Sequence, residues 1–178
     1  MSDDIALMTA SELVKLYRSG ALSPVEATRA ALDRIQRYDG KLNAFNLVAA
    51  DSALAQAAEA EERWRLGAPR GPIDGVPTSI KDVLLTKGWP TLRGSKAIPR
   101  DQPWEEDAPS VARLREHGVV MLGKTTTPEF GWKGITDSPL DGITRNPWNP
   151  ATTPGGSSGG AAAALAAGMG ALALGSDA

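Results

Sequence analysis

The densest chemistry in this sequence lies in Gly155-Gly156-Ser157-Ser158-Gly159-Gly160. Two hydroxyls stand between glycines at the mouth of an Ala-rich segment. Glycine takes backbone conformations barred to other residues and lets a substrate come close to the chain, which makes Gly155 and Gly156 candidate substrate-binding positions. Three readings compete. A flexible Gly/Ser linker is disfavoured, because helix and strand patterns follow at once. A pair that merely caps a helix is the second. A hydroxyl site held by glycine-rich backbone is preferred, since capping needs one serine and no four glycines.

A serine hydroxyl is a weak nucleophile until a base activates it. The chain has no cysteine and one histidine. Disulfides, thiolate metal sites, a Cys nucleophile and a multi-histidine metal site are therefore excluded, and a Ser-His-Asp triad could use only His117. His117 closes a predicted helix just before Gly118, where an imidazole complements the helix C-terminus. Lys81 is the remaining candidate base. It lies in Val76-Pro77-Thr78-Ser79-Ile80-Lys81, a stretch of strand character. If it faces inward, desolvation lowers its pKa and yields a neutral amine. On these residues alone a surface lysine is an equal reading. Asp82 follows directly, so strand alternation points it to the other face.

Other patterns carry bland readings. Gly118-Val119-Val120-Met121-Leu122-Gly123-Lys124-Thr125 formally fits a phosphate loop, but its central residues read as buried strand and a helix precedes it. A core strand followed by an ordinary turn is preferred. Trp64, Trp89, Trp104, Trp132 and Trp148 lack basic interleaving, so they read as packing or pocket lining rather than base-stacking platforms. The charges at Glu59, Glu61, Glu62 and Arg63 read as a solvated helix face.

These residues need a scaffold. The 178 residues are 42% hydrophobic and 22% charged, with 19 Lys+Arg against 21 Asp+Glu, which is globular composition with no basic stripe for nucleic acid or anionic membrane. No signal peptide or membrane span is read, so the expected setting is cytoplasmic. Capping boxes at Thr9/Glu12 and Ser23/Glu26 predict two helices, and a third runs from about Asp51 to Leu66. From Gly71 the texture changes. A strand is predicted over Val76–Leu85, a helix from Asp107 or Ser110 to Glu116, and a short buried strand over Val119–Leu122. A long Gly/Pro/Asn/Trp-rich stretch follows from Thr125 to Pro154. Then come an Ala-rich helix to Gly168 and a strand near Ala171–Leu174. The reading is an α/β fold, with a helical N-terminal layer over 1–66 and the α/β core over 67–178.

Asp74-Gly75-Val76-Pro77-Thr78-Ser79-Ile80-Lys81-Asp82, Leu122-Gly123-Lys124-Thr125-Thr126-Thr127-Pro128-Glu129-Phe130, Asn146-Pro147-Trp148 and Gly155 to Gly160 together resemble the amidase signature family. The resemblance implies a mixed β-sheet core flanked by helices, incomplete here as one domain. It implies a Ser–cis-Ser–Lys triad with Lys81 as base, Ser157 as bridging serine on a cis peptide, and Ser158 in support. Gly131 and Trp132 fall where the family's loop meets substrate. The family's nucleophilic serine follows the counterpart of Asp177 in a Gly-Gly-Ser, just beyond Ala178, so the 178 residues are expected to be inactive alone.

The implied function is hydrolysis of a carboxylic acid amide to acid plus ammonia or amine. No cofactor or metal is required. The implied partners are a small-molecule amide and the remainder of the same enzyme, with a homodimer left open and neither nucleic acid nor membrane. The alternative within the family is the amidase-type component of a glutamyl-tRNA(Gln)/aspartyl-tRNA(Asn) amidotransferase, its A subunit. Such subunits carry Met-Gly-Ser-Ser after the Glu-Phe stretch, where this chain has Gly131-Trp132-Lys133-Gly134. A non-catalytic scaffold fragment is the alternative outside enzymology.

Overall fold

The computed structural model describes residues 5–177. Helices α1 (Ala10–Ser19) and α2 (Pro24–Leu42) start at the two expected capping boxes. Thr9 and Ser23 each accept the N–H of the glutamate three residues on, and that glutamate accepts the cap N–H in return. Helix α3 spans Ala50–Arg65. Between α2 and α3 lies a strand, β1 (Phe45–Val48), within the stretch that the sequence reads as a helical layer with no strand. Four residues with Asn46 among them carry no alternation to recognise; the strand exists because a neighbour offers it a ladder.

That neighbour is β3 (Val120–Thr125), which β1 joins antiparallel. Strand β2 (Pro77–Lys81) runs parallel to β3 on one side and to β6 (Leu172–Leu174) on the other. The sheet order is β1-β3-β2-β6, a mixed sheet of the expected α/β class. Helix α4 (Pro109–Glu116) precedes β3, and α5 (Gly159–Ala166) precedes β6. The long stretch between β3 and α5 is partly structured. It holds a 3₁₀ turn over Glu129–Gly131 and a small hairpin of β4 (Asp137–Ser138) and β5 (Gly142–Ile143).

Helices α2, α3 and α5 cover one face of the sheet, where Ile35, Ala53, Ala57 and Ala163 meet Val120 and Leu122. Helix α4 covers the other, where Val111 meets Ile80 and Met121. Alternation along β3 thus places Val120 and Leu122 on one side and Met121 on the other. Leu13 and Tyr17 of α1 pack with Ala27 and Val76 at the strand's entry. Among the described residues, no helix is long and apolar enough to cross a membrane.

A β-bulge then resets the alternation. Thr78 is level with Met121, but Ser79 is level with Gly123, so one residue of β3 is skipped. From there Ile80 pairs with Lys124 and Lys81 with Thr125. A Cβ at Gly123 would run into the Leu47 carbonyl oxygen of β1, so the bulge needs glycine. The Gly-Lys-Thr that mimics a phosphate loop is this bulge, inside a strand that extends to Thr125 rather than stopping at Leu122.

One expected surface residue is not on the surface alone. Glu59 and Glu62 are exposed, but Arg63 holds the fully buried Asp74 carboxylate through two bonds of 2.7 and 2.8 Å. The Arg70 N–H adds a third bond, and the Trp64 indole donates to the Asp74 carbonyl. The end of α3 is thereby fixed to the approach of β2.

Candidate active site

Lys81 is the last residue of β2 and is fully buried. Ile80 belongs to the α4-side core, so Lys81 points to the opposite side, toward the N-terminus of α5. Three hydroxyls meet its ammonium. Nζ lies 2.6 Å from Ser157 Oγ, 2.8 Å from Ser176 Oγ and 3.1 Å from Ser158 Oγ. Burial pulls the Lys81 pKa below the ordinary lysine value, the direction that makes a buried lysine a usable base. The inward orientation is therefore the one adopted.

Ser157 and Ser158 lie in the turn ahead of α5, and the peptide bond between Gly156 and Ser157 is cis. Ser158 sits at the N-cap position, yet makes no capping bond. Its hydroxyl serves the site instead. It donates to the Ser176 carbonyl at 3.0 Å and accepts the Ser176 N–H at 3.1 Å. The helix-cap reading is thus set aside by geometry. The Ser157 carbonyl accepts Thr127 Oγ1 at 3.3 Å, and the start of α5 is pressed against the end of β3. A Cβ on Gly160 would come within 2.6 Å of the Thr126 backbone.

The directions of these bonds sort the hydroxyls. A protonated lysine donates three protons, and three serine oxygens accept them. Once the amine is neutral its lone pair must accept, so one hydroxyl must turn round and donate. Ser158 has given its proton to the Ser176 carbonyl. Ser157 and Ser176 can each do so, and Ser157 has the shorter bond to Nζ.

A cavity of about 250 Å³ opens over this arrangement, its walls including Gly131, Trp132, Gly156, Ser157, Ser176 and Asp177. Gly131 stands opposite Ser157, and a Cβ there would lie 3.7 Å from Ser157 Oγ. The Trp132 ring is 89% exposed at the rim. Gly155 is not part of this wall; its carbonyl accepts Thr136 Oγ1 at 2.8 Å and so holds the loop. Among the described residues, no group of His, Cys, Asp and Glu could hold a metal ion.

Two residues escape a reading of the sequence. Ser176 follows β6, which lies beside β2 with Leu174 level with Ile80. A hydroxyl just past the end of a strand parallel to β2 is the signal that could have found it. Lys124 is the second buried lysine. Its Nζ donates to Leu84 O at 2.7 Å, Thr91 Oγ1 at 2.8 Å and Thr86 Oγ1 at 3.3 Å, and it pairs with Asp82 at 3.3 Å. Asp82 does face away from Lys81, as alternation requires. His117 ends α4, exposed on the surface, and takes no part in the site.

The family model described as Amidase matches residues 26–178. The chain belongs to the amidase signature family. This amidase-family chain is 45% identical to the A subunit of glutamyl-tRNA(Gln) amidotransferase from Thermobifida fusca (strain YX), over 98% of its own length and 35% of that protein's. It is 41% identical to indoleacetamide hydrolase of Bradyrhizobium diazoefficiens (strain JCM 10833 / BCRC 13528 / IAM 13628 / NBRC 14792 / USDA 110), over 95% of this chain and 32% of that one. Its fold matches a crystal structure of an amidase with a TM-score of 0.88 and 35% identity, covering 96% of this chain and 38% of that one. The amidase-family chain spans about a third of the length of the curated relatives it matches.

Proposed function

We propose that these residues carry the base and relay of an amidase that hydrolyses a carboxylic acid amide to the acid and ammonia or an amine. The observation that carries this reading is the 2.6 Å bond between a buried Lys81 and Ser157 at the floor of an open cavity. In this reading the nucleophilic serine is supplied by chain beyond Ala178. Its hydroxyl attacks the amide carbon while its proton passes to Ser157, and the Ser157 proton passes to Lys81. Backbone N–H groups hold the oxyanion. The C–N bond breaks as the proton returns through Ser157 to the leaving nitrogen. Water then attacks the acyl ester by the same route, releasing the carboxylic acid. Ser158 positions Lys81 and Ser176, while Gly131, Trp132 and Gly156 border the bound amide and Gly155 braces its loop.

The test is ammonia release by the full-length protein from acetamide, benzamide and indole-3-acetamide. Turnover of one of these without a partner protein supports a stand-alone amidase.

The 45% identity to an amidotransferase component supports a second reading, in which ammonia is drawn from glutamine for another subunit. Against it stands the exposed Trp132 at the cavity rim, where the family's amidotransferase members carry small residues. Glutaminase activity that appears only with partner subunits and tRNA would decide for the second reading.

A further inference from the structure

The site's second buried lysine has no part in the proton path above, yet a continuous set of bonds runs from it to the turn opposite Ser157. The loop from Asp82 to Arg93 is wound around the Lys124 ammonium, which holds Asp82, Leu84, Thr86 and Thr91 at once. Asp82 is the acceptor at the loop's base. Its Oδ2 takes the Asn46 side-chain N–H at 2.8 Å and the Arg93 backbone N–H at 3.0 Å. The same Arg93 N–H also reaches the Asp82 carbonyl at 3.0 Å.

Arg93 is a non-glycine residue with φ of 55°, and its carbonyl accepts the Phe130 N–H at 2.8 Å. Phe130 is itself a non-glycine residue with φ of 54°, and it leads directly into Gly131 beside Ser157. Residues in this left-handed region persist where their surroundings over-determine them. Here two of them are bonded to each other. A second tie runs in parallel, because Ser95 Oγ donates to the Glu129 carboxylate at 2.7 Å. Gly94 lies between the two ties, with room for no side chain against the Thr127 carbonyl.

The geometry points to Asp82 as a positioning residue for amide hydrolysis: held by Lys124, and with Ser95 in parallel, it fixes the Phe130–Gly131 turn that forms the substrate-side wall opposite Ser157. This inference rests on the amidase reading for its kinetic consequence, but not for its structural one. Asp82's hydrogen-bond and ion-pair partners are all donors: Asn46, Arg93 and Lys124. Oδ2 accepts both hydrogen bonds while Oδ1 faces the Lys124 ammonium at 3.3 Å without accepting one, so an asparagine either turns its NH₂ against the two donors or sets it beside the ammonium with no negative charge.

The experiment uses the full-length protein with D82N and S95A, the second removing one tie without touching a buried charge. Hydrogen exchange is followed at the amides of 129–132 and, as reference, at Val120–Leu122. Steady-state kinetics are measured on the best amide among acetamide, benzamide and indole-3-acetamide, corrected for the folded fraction. D82N is expected to accelerate exchange in the turn but not in β3, to raise KM, and to lower kcat/KM by about 10²-fold, the scale of a misplaced reacting group. S95A is expected to move exchange and KM in the same direction by a few-fold, as one of two ties. Folded D82N with wild-type exchange at 129–132, or a fall in kcat that follows the folded fraction with KM unchanged, overturns the proposal. So does S95A with wild-type exchange and KM, even if D82N fails to fold. If the wild type hydrolyses no amide, the amidase reading is at fault and the exchange result alone decides this one.

Discussion

Lys81 and Lys124 stand on neighbouring strands, one register position apart, and face opposite sides of the sheet. Both are fully buried. Lys124 is met by a carboxylate, a carbonyl and two threonines, and burial brings its pKa down to about 8 against the opposing pull of Asp82. Lys81 is met by three serine hydroxyls. Hydroxyls can reverse their hydrogen bonds when a proton leaves, whereas a carbonyl cannot. Thr86 and Thr91 already donate to the Leu84 carbonyl and the Asp82 carboxylate favours an ammonium, whereas the Ser157 and Ser176 hydroxyls can turn and donate to a neutral Lys81.

The substitution Lys81→Met is expected to remove hydrolysis by the full-length protein, a loss of at least the roughly 10²–10⁴-fold that positioned acid–base catalysis contributes. A loss of only a few-fold in a continuous ammonia assay would place the base elsewhere.

The same variant should be no less stable than wild type at neutral pH, and its advantage should shrink as pH rises. The folded-state pKa of Lys81 lies below its unfolded value of 10.5. Between the two, the unfolded chain binds more protons than the folded one, so wild-type stability climbs with pH through that window. The methionine variant has no proton to bind at this position, and its stability lacks the rise. Urea denaturation of both proteins between pH 7 and 10 measures the difference; a constant gap would mean that Lys81 carries no lowered pKa.

Ser157 should relay a proton and not form the acyl bond. A fluorophosphonate probe is expected to modify a serine beyond Ala178 in the full-length protein and to leave Ser157 and Ser176 unmodified. Peptide mass spectrometry of the adduct reads the outcome. An adduct on Ser157 would make Ser157 and Lys81 a self-sufficient dyad.

Gly123→Ala should destabilise the protein by about 1–3 kcal/mol, the usual cost of overpacking. The added methyl meets a backbone carbonyl of β1, which cannot rotate away as a side chain would. Chemical denaturation gives the value, and a change within error would show that β1 yields.

Arg63→Ala should cost about 3 kcal/mol, because it leaves the buried Asp74 carboxylate without its guanidinium. Arg63→Lys should recover only part of this, since a point charge cannot make the two-pronged contact. Equal stability of all three proteins would return Arg63 to the solvated face suggested by its charged neighbours.

Residues whose signal is local are legible in the sequence. The strand read over Val76–Leu85 stops at Lys81, but its start, the two capping boxes and the glycine-flanked serines each announce themselves within a few positions. Ser176 does not, because its role depends on β6 lying alongside β2, a contact 95 residues away from Lys81 in sequence. The Asp82–Lys124 pair is hidden by the bulge: strict alternation from Val120 would send Lys124 to the α5 side, and the slip at Gly123 sends it to the other. Arg63 reads as a surface charge, and Asp74 stands 11 residues further on. Nothing near either shows that the other completes it.

The hydroxyl cage around Lys81 also bears on how an acid would leave this site. Serines solvate an ammonium without neutralising it, so a protonated Lys81 remains a net positive charge just beneath the cavity floor. A carboxylate lodged there is attracted while the lysine holds its proton and is freed of that attraction when the proton departs. For an enzyme whose product is a carboxylic acid, the group that starts the reaction as a base would also govern product retention. Inhibition by the acid product would then deepen as the solution is acidified.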